Sequence, residues 1–367
     1  MKRVGILGGG QLGRMLALAG LPLGLKFRFL DPNPEAPAGA VGELVVGRFD
    51  DPAVLDRFAD GLDVATYEFE NVPVESARRL AARVPVLPNP VALETAQDRL
   101  VEKTFFEKCG LPTAPFADVS DRDALAHAVA RIGFPAVLKT RRLGYDGKGQ
   151  AVVRDRAALE AAWAAMAPQP MILERFIRFD RELSIVAARG AGGQCVFYPL
   201  AENIHAGGIL RESRAPAPAL TEDVQEHAEA RARAVMEKLD YTGVLAIEFF
   251  EHHGLLLANE FAPRVHNSGH WTIDGAFTSQ FENHLRAILG LPLGPAAARC
   301  TAVMLNLIGS APATQAILSA APGARVHLYD KAPRPGRKIG HVTLLGASAG
   351  EAEHQAAAVR PMIEGAQ

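Results

Sequence analysis

Glu248 and Glu260 stand twelve residues apart on the two arms of GVLAIEFFEHHGLLLANEF, whose apolar runs flank an HHG turn. That pattern predicts a β-hairpin. In-register pairing about the turn sets the two carboxylates across from each other on one face. Carboxylates side by side in apolar surroundings repel unless a cation lies between them. Magnesium bridging to phosphates suits such a pair, since it takes hard oxygen ligands and leaves the rest of its shell to substrate and water. The plainer alternative is a buried glutamate paired with a local arginine such as Arg264.

A second group gathers around LKTRRLGYDGKGQ. Lys139 lies near the end of an apolar strand, and Gly144, Gly147 and Gly149 follow. A glycine loop between antiparallel strands can fold over a polyphosphate with its amides inward. Lys139 on the rigid strand would meet the phosphate charge, and the loop would act as a lid. A solvated, charged hairpin tip is the alternative. Downstream, Glu174 ends the strand of MILERFI. With the backbone of Arg175–Ile177 it is placed to hold an adenine edge and a ribose. Glu182 begins the next strand. The loop APRVHNSGHWT packs Arg264, His266, Asn267, Ser268 and His270 directly after Glu260. YDKAPRPGRKIGH adds Lys331, Arg334, Arg337 and Lys338 beside a proline-stiffened turn, an anion-binding composition.

These residues need elements to position them. RVGIL reads as a buried strand that breaks at Gly8–Gly10, with a helix from about Gln11 to Leu21. Strands KFRFL, ELVVG and DVATYEF follow, with a helix opened by Asp51 and Pro52. Alternating strands and helices predict a doubly wound parallel sheet over roughly the first 90 residues. Gly8-x-Gly10-x-x-Gly13 with Asp31 after the next strand fits a dinucleotide fingerprint, but its physics accepts any phosphate, and Gln11 offers one more donor. A helix is expected from about Pro90 to Cys109, with a domain boundary near it. Strands are expected at 136–140, 149–153, 171–176, 182–189 and 194–200, and a long amphipathic helix in TEDVQEHAEARARAVMEKL. The final ~70 residues read as a small α+β unit.

Composition narrows the class. A net charge of −2 argues against a dedicated nucleic-acid binder. Hydrophobic content of 49% with 22% charged residues fits a soluble globular protein. Three widely spaced cysteines, Cys109, Cys195 and Cys300, suit a reducing cytoplasm and neither a disulfide framework nor a zinc site. The opening MKRVGILGGG has too short an apolar run for a signal peptide, and no stretch approaches a membrane span.

Lys139, the Gly144–Gln150 loop, Glu174, Glu182 and the Glu248/Glu260 hairpin, in this order, resemble the ATP-grasp superfamily. GGGQLGRM, YEFENVP, QDRLVEKTFF, NIHAGGILRES, NEFAPRVHNSGHWT, NLIGS and RPGRKIGH are similar to the N5-carboxyaminoimidazole ribonucleotide synthetase family, over about residues 1–345. The resemblance implies a ligase of purine biosynthesis that joins bicarbonate to aminoimidazole ribonucleotide (AIR) through carboxyphosphate, with ATP and Mg2+, as a cytoplasmic homodimer without nucleic-acid or membrane partners. It implies an N-terminal doubly wound domain (1–93), an ATP-grasp domain (94–297, lid about 112–178, larger part about 179–297) and a small C-terminal α+β domain (298–367).

By motif position, Arg99, Lys139, Gly144, Tyr145, Asp146, Gly147, Lys148, Gly149, Gln150, Glu174, Arg175, Phe176, Ile177, Glu182, His205, Asn259 and Glu260 would line the ATP site. Glu248 and Glu260 would carry magnesium. The turn holding Gly10, Gln11 and Leu12 would take the 5′-phosphate of AIR, so Asp31 loses its nicotinamide role. Arg264, His266, Asn267, Ser268, Lys331 and Arg337 would complete the AIR and bicarbonate pocket. Glu68 or Glu70 would contact the imidazole amine; strand alternation puts both on one face. Tyr145, Asp146, His266 and Arg264 are the catalytic candidates, the first three for proton handling. Ala262 replaces an amide ligand common in ATP-grasp enzymes, which leaves a second magnesium fewer protein ligands. A formate-dependent glycinamide ribonucleotide transformylase or a biotin-type carboxylase is the nearest alternative, disfavoured by HNSGHWT and RPGRKIGH. An NAD oxidoreductase would leave the residues from 139 to 260 idle, and a nucleotide sensor would not need paired carboxylates.

Overall fold

The computed structural model describes residues 1–144 and 147–365. Its N-terminal sheet is parallel, in the order β3 (Glu43–Val46), β2 (Lys26–Asp31), β1 (Arg3–Leu7) and β4 (Val64–Tyr67). Both faces are covered, as a parallel sheet requires. Ile6, Phe27 and Phe29 pack on one side, and Leu7, Leu30, Phe58 and Tyr67 on the other. Helix α1 (Gln11–Gly20) follows the glycine turn; α2 (Pro52–Ala59) starts as expected, the Asp51 carboxylate accepting from the amides of Ala53 and Val54. Helix α3 (Val74–Ala81) follows β4. The strand in DVATYEF ends at Tyr67, so Glu68 and Glu70 lie beyond it and the alternation expected of them does not apply.

The single helix expected from Pro90 to Cys109 is two, α4 (Pro90–Ala96) and α5 (Arg99–Lys108). The break has a local cause. Asp98 turns its side chain onto the amides of Leu100 and Val101 and caps a new helix. An antiparallel sheet follows, in the order β5 (Phe116–Val119), β8 (Met171–Arg175), β6 (Ala136–Thr140), β7 (Gln150–Val153). Helices α6 (Arg122–Ile132) and α7 (Arg156–Met166) cover one face, through Leu125, Ala128 and Leu159 against Leu138 and Leu173. Alternation turns Val137, Lys139 and Glu174 to the other face.

Among the described residues, nine strands form the largest sheet. They are β9 (Arg181–Arg189), β10 (Cys195–Phe197), β11 (Ala201–Ala206), β12 (Ile209–Ala215), β13 (Gly243–His252), β14 (Leu255–Ala262), β15 (Thr301–Ile308), β16 (Arg325–Leu328) and β17 (Lys338–Gly346). The order is β14-β13-β9-β11-β12-β15-β17-β16, with β10 on β9. The strand expected at 194–200 is therefore only three residues long, and the β11–β12 hairpin in NIHAGGILRES was not foreseen as strands. The C-terminal strands join the sheet through β12–β15 pairing. Helix α8 (Glu222–Lys238) covers one face, burying Ala228, Ala232, Val235 and Met236 against Leu183, Ile185, Ile247 and Phe249. The short α9 (Thr272–Gly275) and α10 (Gln280–Ile288) pack near the other face, while α11 (Thr314–Ala320) and α12 (Ala349–Glu364) pack on the C-terminal strands. No helix among the described residues is long and apolar enough to cross a membrane.

Candidate active site

A cavity of about 1050 Å³ opens where the three sheets meet. Glu248 and Glu260 face each other in it as direct cross-strand partners. They do so through a β-bulge. The hairpin pairs regularly from His252↔Leu255 to Phe249↔Ala258, then shifts register so that Glu248 meets Glu260 and Asn259 is the extra residue. Regular counting from the turn would set Glu260 opposite Ile247, on the face packed under α8. The bulge keeps Ala258 and Phe261 in the core and leaves both Asn259 and Glu260 at the cavity.

Burial and the charge of Glu260 push the Glu248 carboxyl up to about 7. Arg264 does not relieve the pair; its Nε donates to Glu70 Oε2 at 2.6 Å, with a second contact from Nη2 at 2.5 Å. Burial opposes the Glu70 charge, but Arg264 prevails and holds its carboxyl below the usual range. His266 Nε2 lies 3.4 Å from Glu248 Oε1, and His205 Nδ1 3.0 Å from Glu182 Oε2. Among the described residues no three His, Cys, Asp or Glu gather as a metal cluster; the hairpin pair supplies two hard oxygen donors.

The lid sheet contributes Lys139, whose Nζ donates to Glu174 Oε2 at 3.0 Å. Lys103 Nζ lies 3.5 Å from the same oxygen and donates to the Ala258 carbonyl. Burial alone would raise the Glu174 carboxyl, but the two lysines overcome it and hold it at about 2. Arg99 donates to the carbonyls of Thr140 (3.1 Å) and Gly144 (3.4 Å), tying the base of the glycine loop to α5. Gly147 sits at φ +77°, and a Cβ there would fall 3.0 Å from the Gly207 carbonyl oxygen, in the β11–β12 turn. Gly144, Gly147, Lys148, Gln150, Arg175, Phe176, Ile177, Glu182 and His205 line the cavity, whereas Gly149 is packed against Thr140. Tyr145 and Asp146 lie outside the described residues.

At the opposite end the glycine turn is pinned by carboxylates. The amide of Gly9 donates to Asp31 Oδ2 (2.8 Å), and those of Gly10 and Gly13 to the two oxygens of Glu68. Glu68 and Glu70 thus part company: one fastens the turn, the other holds Arg264. Gly10 stands behind the cavity wall; a Cβ on it would meet Glu68. Gln11 and Leu12, at the start of α1, line the cavity. The Gln11 carboxamide oxygen accepts from Lys331 Nζ at 2.9 Å. Burial, with Arg337 nearby, pulls the Lys331 ammonium down to about 8. Arg337 and Asn267 also line the cavity, Asn267 exchanging two hydrogen bonds with Asn306 (3.0 and 2.8 Å). Ser268 is fully buried beneath His266.

Several site residues escaped sequence reasoning. Phe179 and Phe250 stack at 4.7 Å with planes 8° apart and form one cavity wall; nothing local marks Phe179. Glu102 and Lys103 are buried charges on α5, Glu102 accepting from the Phe261 amide at 2.7 Å. Their signal was present: Glu102 shares a helix face with Phe106 four residues on, so a charge sits on the apolar stripe.

Three family models cover the chain in order. These are a ribonucleotide synthetase preATP-grasp domain (residues 1–97), an ATP-grasp domain (104–281) and a phosphoribosylaminoimidazole carboxylase C-terminal domain (302–355). Together with the paired carboxylates and the glycine loop at the cavity they define an ATP-grasp ligase. The N5-carboxyaminoimidazole ribonucleotide synthase of Pseudomonas aeruginosa is 50% identical over 99% of both chains. The structure of the Thermus thermophilus synthetase matches with TM-score 0.94 and 58% identity over 98% of both chains. That of the Aspergillus clavatus enzyme, in complex with ADP and 5-aminoimidazole ribonucleotide, matches with TM-score 0.90 and 31% identity over 99% of this chain and 98% of that one. The chain belongs to the N5-carboxyaminoimidazole ribonucleotide synthase family.

Proposed function

We propose that this chain carboxylates the exocyclic amine of AIR with bicarbonate, converting ATP to ADP and phosphate, in purine biosynthesis. The observation that carries the reading is the Glu248–Glu260 pair facing the same cavity as Lys139 and the glycine lid. A bicarbonate oxygen attacks the γ-phosphorus, the bond to ADP breaks, and carboxyphosphate forms. The AIR amine then attacks its carbonyl carbon, phosphate leaves with the C–O electron pair, and the amine loses a proton. Lys139, on a rigid strand, and Lys148, in the lid, neutralise phosphoryl charge. The Phe179–Phe250 wall and the ionised Glu174 suit the flat face and amino edge of adenine. Gln11, Leu12, Lys331 and Arg337 suit the 5′-phosphate. The glycine loop, as a lid, would exclude water from a mixed anhydride that hydrolyses readily.

Glu248 and Glu260 fit magnesium, because the mostly buried Glu248 faces a second carboxylate across the hairpin, two hard oxygen donors whose mutual repulsion shows in the rise of Glu248 to about 7. Bound there, the ion would supply charge neutralisation at the transferring phosphoryl group. A homodimer, a cytoplasmic location and domain limits at 93 and 297 belong to the same reading, supported by family membership; light scattering at twice the 39.2 kDa chain mass checks the dimer. The deciding assay measures ADP release with ATP, Mg2+ and labelled bicarbonate, with and without AIR. AIR-stimulated release with label in the product is expected. Release indifferent to AIR, or formate serving in place of bicarbonate, would overturn the assignment.

A further inference from the structure

His266 is held more tightly than a cavity-lining side chain needs. Its amide donates to Gln280 Oε1 (2.9 Å) and its carbonyl accepts from Gln280 Nε2 (2.6 Å), so one buried carboxamide clamps its backbone. The ring nitrogen Nδ1 lies 2.9 Å from the Ser268 hydroxyl and 3.3 Å from the Ser268 amide nitrogen, from which it accepts. A backbone amide can only donate. Nδ1 must therefore present its lone pair. An imidazolium, or the tautomer protonated at Nδ1, would aim one N–H at another. The ring is neutral, with its one proton on Nε2.

The groups behind it agree. Ser213 Oγ donates to Asn203 Oδ1 (2.7 Å), and Asn203 Nδ2 donates to Ser184 Oγ (2.8 Å). Ser184 then passes its own proton toward Ser268 Oγ (2.8 Å), which leaves the Ser268 hydroxyl to donate to Nδ1. All four side chains are at most 5% exposed. They come from β9, β11, β12 and the loop after β14, so neighbouring strands of one sheet hold the relay in line.

We propose that the buried relay Ser213–Asn203–Ser184–Ser268 is a positioning device that fixes His266 as a hydrogen-bond donor. Through Nε2–H, 3.4 Å from Glu248 Oε1 in the cavity, His266 steadies oxyanion charge during carboxylation. It does not act as the base, since the nitrogen facing the cavity has no free lone pair. The AIR amine proton goes to another group. This rests on the reading of the cavity as the ATP and AIR site.

Two measurements on the full chain test it. Nitrogen-15 NMR of the histidine-labelled protein without substrates should show His266 Nδ1 as a lone-pair nitrogen and Nε2 as N–H. In Ser184→Ala, a variant that touches no substrate, the Ser268 amide still holds the lone pair on Nδ1, so the tautomer should persist while the loosened ring lowers kcat several-fold with little change in KM; an unchanged kcat there would overturn the positioning role. His266→Gln keeps a donor near Nε2 but has no basicity. It should hold kcat within about tenfold, whereas His266→Ala should lose about a hundredfold or more. A proton found on Nδ1 in the parent protein, or equal losses in the Gln and Ala variants, would overturn the proposal. If a variant fails to fold, the parent nitrogen shifts decide alone. A parent protein without AIR-stimulated ADP release would instead remove the functional reading and leave the tautomer standing.

Discussion

At Glu248, burial and a second carboxylate act in the same direction. Its carboxyl sits near 7 where 4.5 is ordinary. The folded chain therefore holds a proton that the unfolded chain releases between those values. Without metal or nucleotide, this group's own contribution to stability should be full below about pH 4.5 and be lost as the pH rises to 7, on the order of 3 kcal/mol in all. Denaturant unfolding of parent and Glu248→Gln at pH 5 and pH 8 isolates it: the variant should lose less, or gain more, stability than the parent between the two, and an identical pH dependence would show the charge lies elsewhere. Glu260 carries the other half of the pair. Glu260→Gln should cut ADP release at least about a hundredfold, and turnover at the parent rate would remove the metal role.

The lid and the hairpin show how elements place those residues. The lid touches the sheet backbone to backbone, Gly147 against the Gly207–Gly208 turn, with no room for a side chain. Gly147→Val adds a Cβ 3.0 Å from the Gly207 oxygen and 3.1 Å from Gly208 Cα, at a positive φ. That strain costs about 1–2 kcal/mol locally, in a loop outside the core. Turnover should fall tenfold or more while the unfolding midpoint drops by less than about 3 °C. Normal turnover in this variant would count against a closing lid. In the hairpin, one extra residue at Asn259 rescues the register. Without it the apolar alternation of β14 would bury Glu260 or expose Phe261.

Across the whole molecule, the site exists only because segments far apart in the chain close on one cavity. Glu70, after the N-terminal sheet, meets Arg264, after the hairpin, in a half-buried ion pair at the cavity. Lys331, near the C-terminus, reaches Gln11 on α1. Removing the Glu70 carboxylate leaves the Arg264 guanidinium without its ion partner in a half-buried place. Glu70→Ala should therefore cost about 1–3 kcal/mol by urea unfolding, and Glu70→Ala combined with Arg264→Met should recover part of it. A single-variant loss below about 1 kcal/mol would mean Arg264 finds water or another acceptor.

Local pattern alone determined a good deal. The apolar run of β1, the Asp51–Pro52 helix start, the HHG hairpin and the glycine loop between β6 and β7 are all written in neighbouring residues, because strand alternation and capping depend on near neighbours. So were Glu248, Glu260 and Lys139 as candidate chemistry. The tertiary structure alone decided that Asp98 splits a helix and that Glu68 and Glu70 take different partners. It also decided that β15 extends the large sheet, and that Ser184, Asn203 and Ser213 line up behind His266. These depend on which distant groups are left buried together and must satisfy one another's hydrogen bonds and charges, and no periodicity along the chain records that.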